Sequence, residues 1–395
     1  MNVKSRLGRD PHLIANVFSR MDPGGAELRV IELVEAIKAG CDFIATSGRP
    51  GTLDASLREK GYDVHNLHMA VTKFPAFIRL MQRKRYAVVH SHLGPASGPV
   101  VLLAWLARVP KRIVQFHSDA VGGRSTPAKN VYLTLSRWLI AALATDIVGV
   151  SPGTLTYGWS KKWPGDSRCR VVPNGFDAAQ LRDRAGSEQR NAPNLRTTGN
   201  RITVVNVGRP DPVKNRSRAL AIWGRLAEGT NSKLIFVGAL NASDDQAITE
   251  VLKRQSGDSE IVRVGDTSEV PKYIGEADVL LVTSTREGLP SVVLEALAIG
   301  TPVVASRLPG TEWIKSHSIG VELCSLAVDD GEWVQAIHRV VGMDRDRISA
   351  GFESSPFVIQ HAITSFRQLW GLDSPSSEIE DENSDMDREV LSDGG

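Results

Sequence analysis

Short runs of consecutive apolar residues alternate along this chain with longer stretches of helical period. The runs at 13–18, 43–46, 64–66, 87–90, 113–116 and 147–150 predict strands buried on both faces, because a half-exposed strand would show polar residues at every second position. Between them, 26–39, 53–60, 74–83, 96–107 and 128–144 predict helices. In the first of these Leu28, Ile31, Leu33, Val34 and Ile37 supply one apolar face and Gly40 ends it. From 178 to 200 the composition turns polar, as expected of an exposed linker. The alternation then resumes, with strands at 202–207, 234–237, 261–264, 279–282 and 303–305 and helices at 218–226, 292–299, 333–341 and 357–370. Two rounds of strand–helix order predict an α/β chain of two doubly wound, Rossmann-like domains. Ligands of such folds sit at the carboxyl edges of the strands.

Length and composition agree with this picture. The 395 residues exceed one ordinary core and fit two domains, and 42% hydrophobic with 23% charged residues is the balance of a globular protein. No apolar run reaches the roughly 18 residues of a membrane span. The first ten residues carry positive charge without an apolar segment behind it, so no secretory signal is expected. Three scattered cysteines fit neither a disulfide framework nor a metal cluster, and the expected compartment is reducing and cytoplasmic.

The net charge of +2 conceals an asymmetry. From Asp373 onward nine acids face one base, leaving 46 basic and 36 acidic residues in the rest. A basic body suits an anionic ligand and an anionic membrane surface. The tail, 373–395, is expected to be disordered.

The chemistry concentrates between 279 and 306. A buried strand is followed by a turn containing Gly288, Leu289 and Pro290, then a helix expected to start at Ser291 and end at Gly300, then a second buried strand. A helix start at the edge of a parallel sheet offers unpaired N–H groups and partial positive charge to a phosphate. Glu287 and Glu295 frame that site. Acids beside a phosphate site are repelled by the ligand unless they serve another part of it, such as sugar hydroxyls. By the residues alone, a capping role for Glu287 and a first-turn role for Glu295 remain as good a reading.

Other strand ends carry further candidates. Gly24 and Gly25 precede the first long helix, where glycine lets backbone approach a ligand. The surrounding string is not the G-x-G-x-x-G dinucleotide fingerprint. His90 and His92 end one strand and His117 another, and no third ligand with metal-binding spacing accompanies the two nearby histidines. Arg209 and Lys214 follow the first strand of the second half, where a planar fork and a mobile point charge together can neutralise a diphosphate without a metal.

The string Glu287-Gly-Leu-Pro-Ser-Val-Val-Leu-Glu295-Ala, followed by Gly300-Thr-Pro-Val-Val-Ala-Ser306, closely resembles the E-x7-E signature of family 4 glycosyltransferases, retaining enzymes of the GT-B fold. Gly24-Gly25-Ala26-Glu27, His117, Pro173-Asn174-Gly175 and the Gly208-Arg209 to Lys214-Asn215 element resemble the family in order, over about 12–370. The resemblance implies that Glu287 contacts the donor sugar and Glu295 the ribose. It places Gly24, Gly25, Gly288, Leu289, Pro290 and Ser291 around the donor and His117 beside the reacting bond. Arg209 and Lys214 are implied to bind the pyrophosphate and stabilise the departing nucleotide. Arg124, in a basic loop, is the acceptor-side candidate. At 309–310 the family often carries Gly-Gly where this chain has Pro309-Gly310.

The implied domains are an acceptor-side domain over 1–178, a linker over 179–200, a donor domain over 201–350, a helix over 351–372 crossing back to the first domain, and the acidic tail. The implied reaction is transfer of a sugar from a UDP- or GDP-sugar, with retention, to a saccharide or lipid-linked saccharide at the cytoplasmic membrane face. No metal, cofactor or nucleic acid is expected. Asp344-Arg345-Asp346 and Asp385-Met386-Asp387 have the spacing of a metal-binding pair but not the strand-edge setting. A nucleotide-sugar epimerase of the same fold, a non-catalytic sugar-nucleotide binder and a metabolic glucan- or sucrose-type transferase are the alternatives.

Overall fold

The computed structural model describes residues 12–118, 126–186, 201–254 and 258–373. Seven strands form the first sheet: β1 (Ile14–Phe18), β2 (Cys41–Ala45), β3 (Asp63–Asn66), β4 (Val88–Ser91), β5 (Lys111–Phe116), β6 (Asp146–Gly149) and β7 (Cys169–Val171), in the order β3-β2-β1-β4-β5-β6-β7. Six form the second: β8 (Arg201–Val207), β9 (Asn231–Val237), β10 (Glu260–Gly265), β11 (Val279–Val282), β12 (Val303–Ser306) and β13 (Val321–Cys324), in the order β10-β9-β8-β11-β12-β13. Every pairing within the two sheets is parallel.

The central strands explain the apolar runs. Every residue of β1, β2, β4, β6, β11 and β12 is buried, since helices cover both faces of each sheet. Strand order reverses between β1 and β4 in one sheet and between β8 and β11 in the other. These switch points open the crevices where doubly wound folds take ligands.

Two elements differ from expectation for a visible reason. The start of the predicted linker is a helix, Ala178–Ala185, capped by Asp177, whose carboxylate accepts from the Gln180 amide. Its Ala178, Leu181 and Ala185 join the core that lies under the helix Ser291–Ile299, so three spaced apolar residues among charges are a packed face. The segment after Ser306, where the apolar pattern predicts no helix, is one, Pro309–His317. Pro309 occupies a first-turn position where its missing N–H costs nothing, and Thr311 Oγ1 accepts from the Leu308 amide.

The C-terminal helix, Ile359–Trp370, starts two residues later than the apolar pattern predicts. Phe357 and Val358 stay extended beside Phe176, whose amide donates to Phe357 O at 2.9 Å while Ile359 N donates to Phe176 O at 3.0 Å. The helix then packs Ala362, Phe366, Leu369 and Trp370 into the core around β1 and the helix Gly25–Ile37. The chain's last helix thereby belongs to the core of its first sheet. Residues 374–395, with the acidic tail, lie outside the described residues, as do 187–200 of the predicted linker.

Candidate active site

The loops that follow β1, β4 and β5 carry Gly24 and Gly25, His92, and His117. Those that follow β8 and β11 carry Arg209 and Lys214, and Glu287. All therefore leave carboxyl edges beside the two switch points. Direct contacts join the two sets.

Two helix starts meet there. The helix Gly25–Ile37 has Gly24 as its N-cap and the helix Ser291–Ile299 has Pro290, and neither cap supplies a side-chain hydrogen bond. A Cβ placed on Gly25 would lie 3.5 Å from Ser291 Oγ, so the two amino ends approach within side-chain distance. Their unpaired N–H groups and dipoles make this a natural place for a doubly charged anion. Leu289 is buried in the core and anchors the turn between Glu287 and the helix.

Gly288 allows a still closer approach. A Cβ there would lie 2.2 Å from His117 O, which no side chain tolerates. Ser151 Oγ of the first domain donates to Gly288 O at 2.8 Å and fixes the loop in place.

Lys214 and Glu287, assigned by sequence to diphosphate and sugar, form one ion pair with Nζ 2.7 Å from Oε1. Several local contacts aim the lysine. Asp211 caps the short turn Pro212–Lys214, and Asn215 adopts φ 49°, a left-handed conformation that asparagine tolerates. Thr283 Oγ1 donates to Lys214 O at 3.2 Å and Asn215 O at 2.9 Å, tying this turn to the loop after β11.

Arg209 is exposed and acts electrostatically on Glu27, in the first turn of the helix Gly25–Ile37. Burial pushes the Glu27 carboxyl up from its usual range and Arg209 opposes that rise. Glu27 was legible only as part of the Gly-Gly-Ala-Glu string. Glu295 is half-buried, and burial likewise raises its carboxyl against the opposing pull of Arg29 and Arg184. Arg29 belongs to the helix Gly25–Ile37 and pairs with Glu32 at 2.6 Å, so Glu295 too looks across the domain boundary.

His117 is the end of a chain of imidazoles that sequence reasoning left unconnected. Its Nε2 lies 3.0 Å from His92 Nδ1, and His92 Nε2 lies 3.1 Å from Asn16 Oδ1. With Asn16 accepting from His92 Nε2–H, His92 Nδ1 accepts from His117 Nε2–H, and His117 Nδ1 is left as an acceptor with no protein partner. The His90 ring lies 4.2 Å from that of His92, tilted by 34°, and its Nδ1 accepts from Trp370 Nε1 at 3.2 Å. Burial pushes His90 down to about 3 and His117 down to about 4, and holds His92 well below its usual value, so all three rings are neutral near pH 7.

Beside His92 and His117 lies a cavity of about 400 Å³, also lined by Phe18, Glu27, Met69 and Tyr132. Arg124 lies outside the described residues. Among the described residues Asp42, Asp63 and His65 are grouped closely enough for a metal, but Lys84 Nζ already sits 2.9 Å from Asp42 and 2.6 Å from Asp63.

Two family models match this chain, Glycosyltransferase Family 4 over residues 23–180 and Glycosyl transferases group 1 over 201–342. The chain belongs to the family 4 glycosyltransferases. It is 26% identical over 324 residues to the capsular polysaccharide biosynthesis glycosyltransferase CapH of Staphylococcus aureus, covering 78% of this chain and 86% of that one. It is 22% identical over 272 residues to the UDP-Gal:alpha-D-GlcNAc-diphosphoundecaprenol alpha-1,3-galactosyltransferase of Escherichia coli, covering 66% and 68%. Among solved structures, Anabaena HepE in complex with UDP superposes with a TM-score of 0.72 at 16% identity, over 91% of this chain and 99% of that one. The fold is GT-B, and the chain is a glycosyltransferase related to enzymes of capsular and exopolysaccharide assembly.

Proposed function

We propose that this enzyme transfers a sugar, with retention at its anomeric carbon, from a UDP-sugar to a hydroxyl of a lipid-linked saccharide. One observation carries the reading: two uncapped helix starts and the Lys214–Glu287 pair converge where the two domains touch. An arriving diphosphate competes with Glu287 for Lys214, takes Arg209 as its second cation, and frees the Glu287 carboxylate to accept from sugar hydroxyls. Charge builds on the leaving phosphate as the bond from C1 to its oxygen lengthens. Fixed cations and helix dipoles aimed at that oxygen stabilise the transition state more than the ground state.

The acceptor oxygen then bonds C1 from the same face, and its proton passes to the departing phosphate oxygen. Glu287 acts as a sugar-holding group rather than a covalent nucleophile. Glu295 is assigned to the ribose and His117 Nδ1 to a donor-sugar hydroxyl near the reacting bond. No resident metal is assigned, since the side chains named here supply the positive charge the diphosphate needs.

Uridine is the favoured base, because the Escherichia coli relative uses UDP-Gal and HepE was solved with UDP. That relative's diphosphoundecaprenol acceptor supports a lipid-linked one here. The cavity beside His117 favours transfer over epimerisation, which needs no space for a second substrate.

The test is incubation with UDP- and GDP-sugars and a polyprenyl-diphosphate saccharide, with NMR of the product's anomeric coupling. An α-donor yielding an α-linked product supports the reading. A β-linked product refutes retention, and isomerised sugar from the nucleotide alone identifies an epimerase.

A further inference from the structure

The helix Pro127–Leu143 is unusual for a helix flanking a doubly wound sheet. Of its 17 residues only Ser136 and Ile140 are buried. Val131, Leu135 and Trp138 are exposed by 61%, 59% and 67%, and their spacing of four and three puts them on one face. The helix Gly98–Leu106 packs alongside, with the Gly98 amide donating to Ser136 Oγ at 2.9 Å, and ends in the exposed Trp105 and Leu106. Arg137 donates to Gly158 O and ties down the neighbouring segment that carries exposed Tyr157 and, just beyond it, Lys161 and Lys162. Contiguous exposed apolar surface of this kind marks an interaction site.

Charge narrows the partner. Residues 64–118 contain eight Lys and Arg and neither Asp nor Glu. Residues 126–165 contain four more and a single acid, Asp146, which is 6% exposed and paired with Arg170 at 3.2 Å. A second copy meeting this face isologously would set its basic residues, Arg137, Lys161 and Lys162 among them, against one another. An anionic bilayer supplies both an apolar interior for Leu135 and Trp138 and phosphates for the cations around them, and tryptophan favours that boundary.

We propose that this face docks the enzyme on an anionic phospholipid membrane. Tyr132, on the same helix, lines the cavity beside His117, so docking presents that cavity to a lipid-linked acceptor held in the bilayer. No helix among the described residues is long and apolar enough to cross a membrane, so attachment through this face is by insertion of side chains at the surface. The inference rests on the proposed reaction only for the purpose docking serves.

Flotation of the full chain with vesicles of equal phosphatidylglycerol and phosphatidylcholine, against phosphatidylcholine alone, reads the docking without turnover. The chain floats with the anionic vesicles, is released by raised salt, and stays behind with the neutral ones. The L135E/W138E variant partitions about tenfold less. L135S/W138S, which keeps every charge and spares the fold if the Glu variant is unstable, also partitions less while its thermal midpoint and UDP affinity are unchanged.

Equal flotation of the folded serine variant, equal flotation with both vesicles, or no flotation overturns the proposal. So does a dimer in sedimentation that the same substitutions dissociate, which would assign the face to a second copy. Lost flotation with retained UDP binding leaves the donor reading intact, and the reverse leaves the docking intact.

Discussion

Lys214 and Glu287, 73 residues apart in sequence, meet as one ion pair with Nζ 2.7 Å from Oε1. Their side chains are 27% and 14% exposed, so the pair is partly shielded from water but reachable by a ligand. It joins the loop after β8 to the loop after β11 at a switch point, and the proposed donor enters by separating the two charges.

If the two act as a unit, their substitutions are not additive. Lys214→Ala and Glu287→Ala each lower kcat by about 100-fold, in the range of losing one preorganised electrostatic partner, and the double variant loses little more than the worse single. Initial-rate kinetics on all four proteins checks this. Losses that multiply would mean that the two residues work independently.

Gly288 makes a geometric prediction. Gly288→Ala places a methyl group against His117 O and Thr154, so the loop must retreat from the first domain. Turnover falls at least about tenfold, while the cost in stability stays near the 1–3 kcal/mol of an overpacked contact. Thermal melts beside kinetics separate the two, and normal turnover would show that the loop does not need this approach.

The imidazole chain predicts how pH acts. His90 and His117 have folded values of about 3 and about 4, below the ordinary 6.5, so between those values and 6.5 the unfolded chain binds more protons. Stability therefore rises with pH through that window, is fully present above about 6.5, and is lost as pH falls toward 4. The thermal midpoint drops on acidification from pH 7 to pH 5. Replacing Asn16 by Asp puts a carboxylate beside His92 Nε2, favours the charged ring, and moves the acid limb of the rate profile upward. An unmoved limb would mean that Asn16 does not govern the His92–His117 pair.

Trp370 tests the returning helix. It is 3% exposed, lies in the first domain's core and donates to His90. Trp370→Phe loses that hydrogen bond at a cost of about 1 kcal/mol, and Trp370→Ala costs about 3–5 kcal/mol. Denaturant unfolding measures both, and a Trp370→Ala variant as stable as the parent would detach this helix from the core.

Strands buried on both faces announce themselves as apolar runs, which is why β1, β4, β11 and β12 were legible in the sequence. β7 was not, because Cys169–Val171 lies at the sheet edge with Arg170 exposed in its middle. The helix Ala242–Arg254 was missed as well, its first-turn Asp244 and Asp245 masking a sparse apolar face. Motif spacing located Glu287, Arg209 and Lys214 on their strand ends, but spacing carries no record of contacts between distant loops. The ion pair of Lys214 with Glu287, the approach of Gly288 to His117 and the chain from Asn16 to His117 exist only once the sheets are packed. Pro309, a departure from the family wording, has its reason in the fold, since it opens a helix.

The central claim is that the Lys214–Arg209 cations and the paired helix starts hold a nucleoside diphosphate. Calorimetric titration with UDP and GDP in EDTA, on the parent, Lys214→Ala and Arg209→Ala, tests it most directly. The account predicts that UDP binds the parent without metal and binds each variant at least about tenfold more weakly, or ~1.4 kcal/mol. Affinity unchanged in both folded variants, or no binding of either nucleotide to the folded parent, would contradict it.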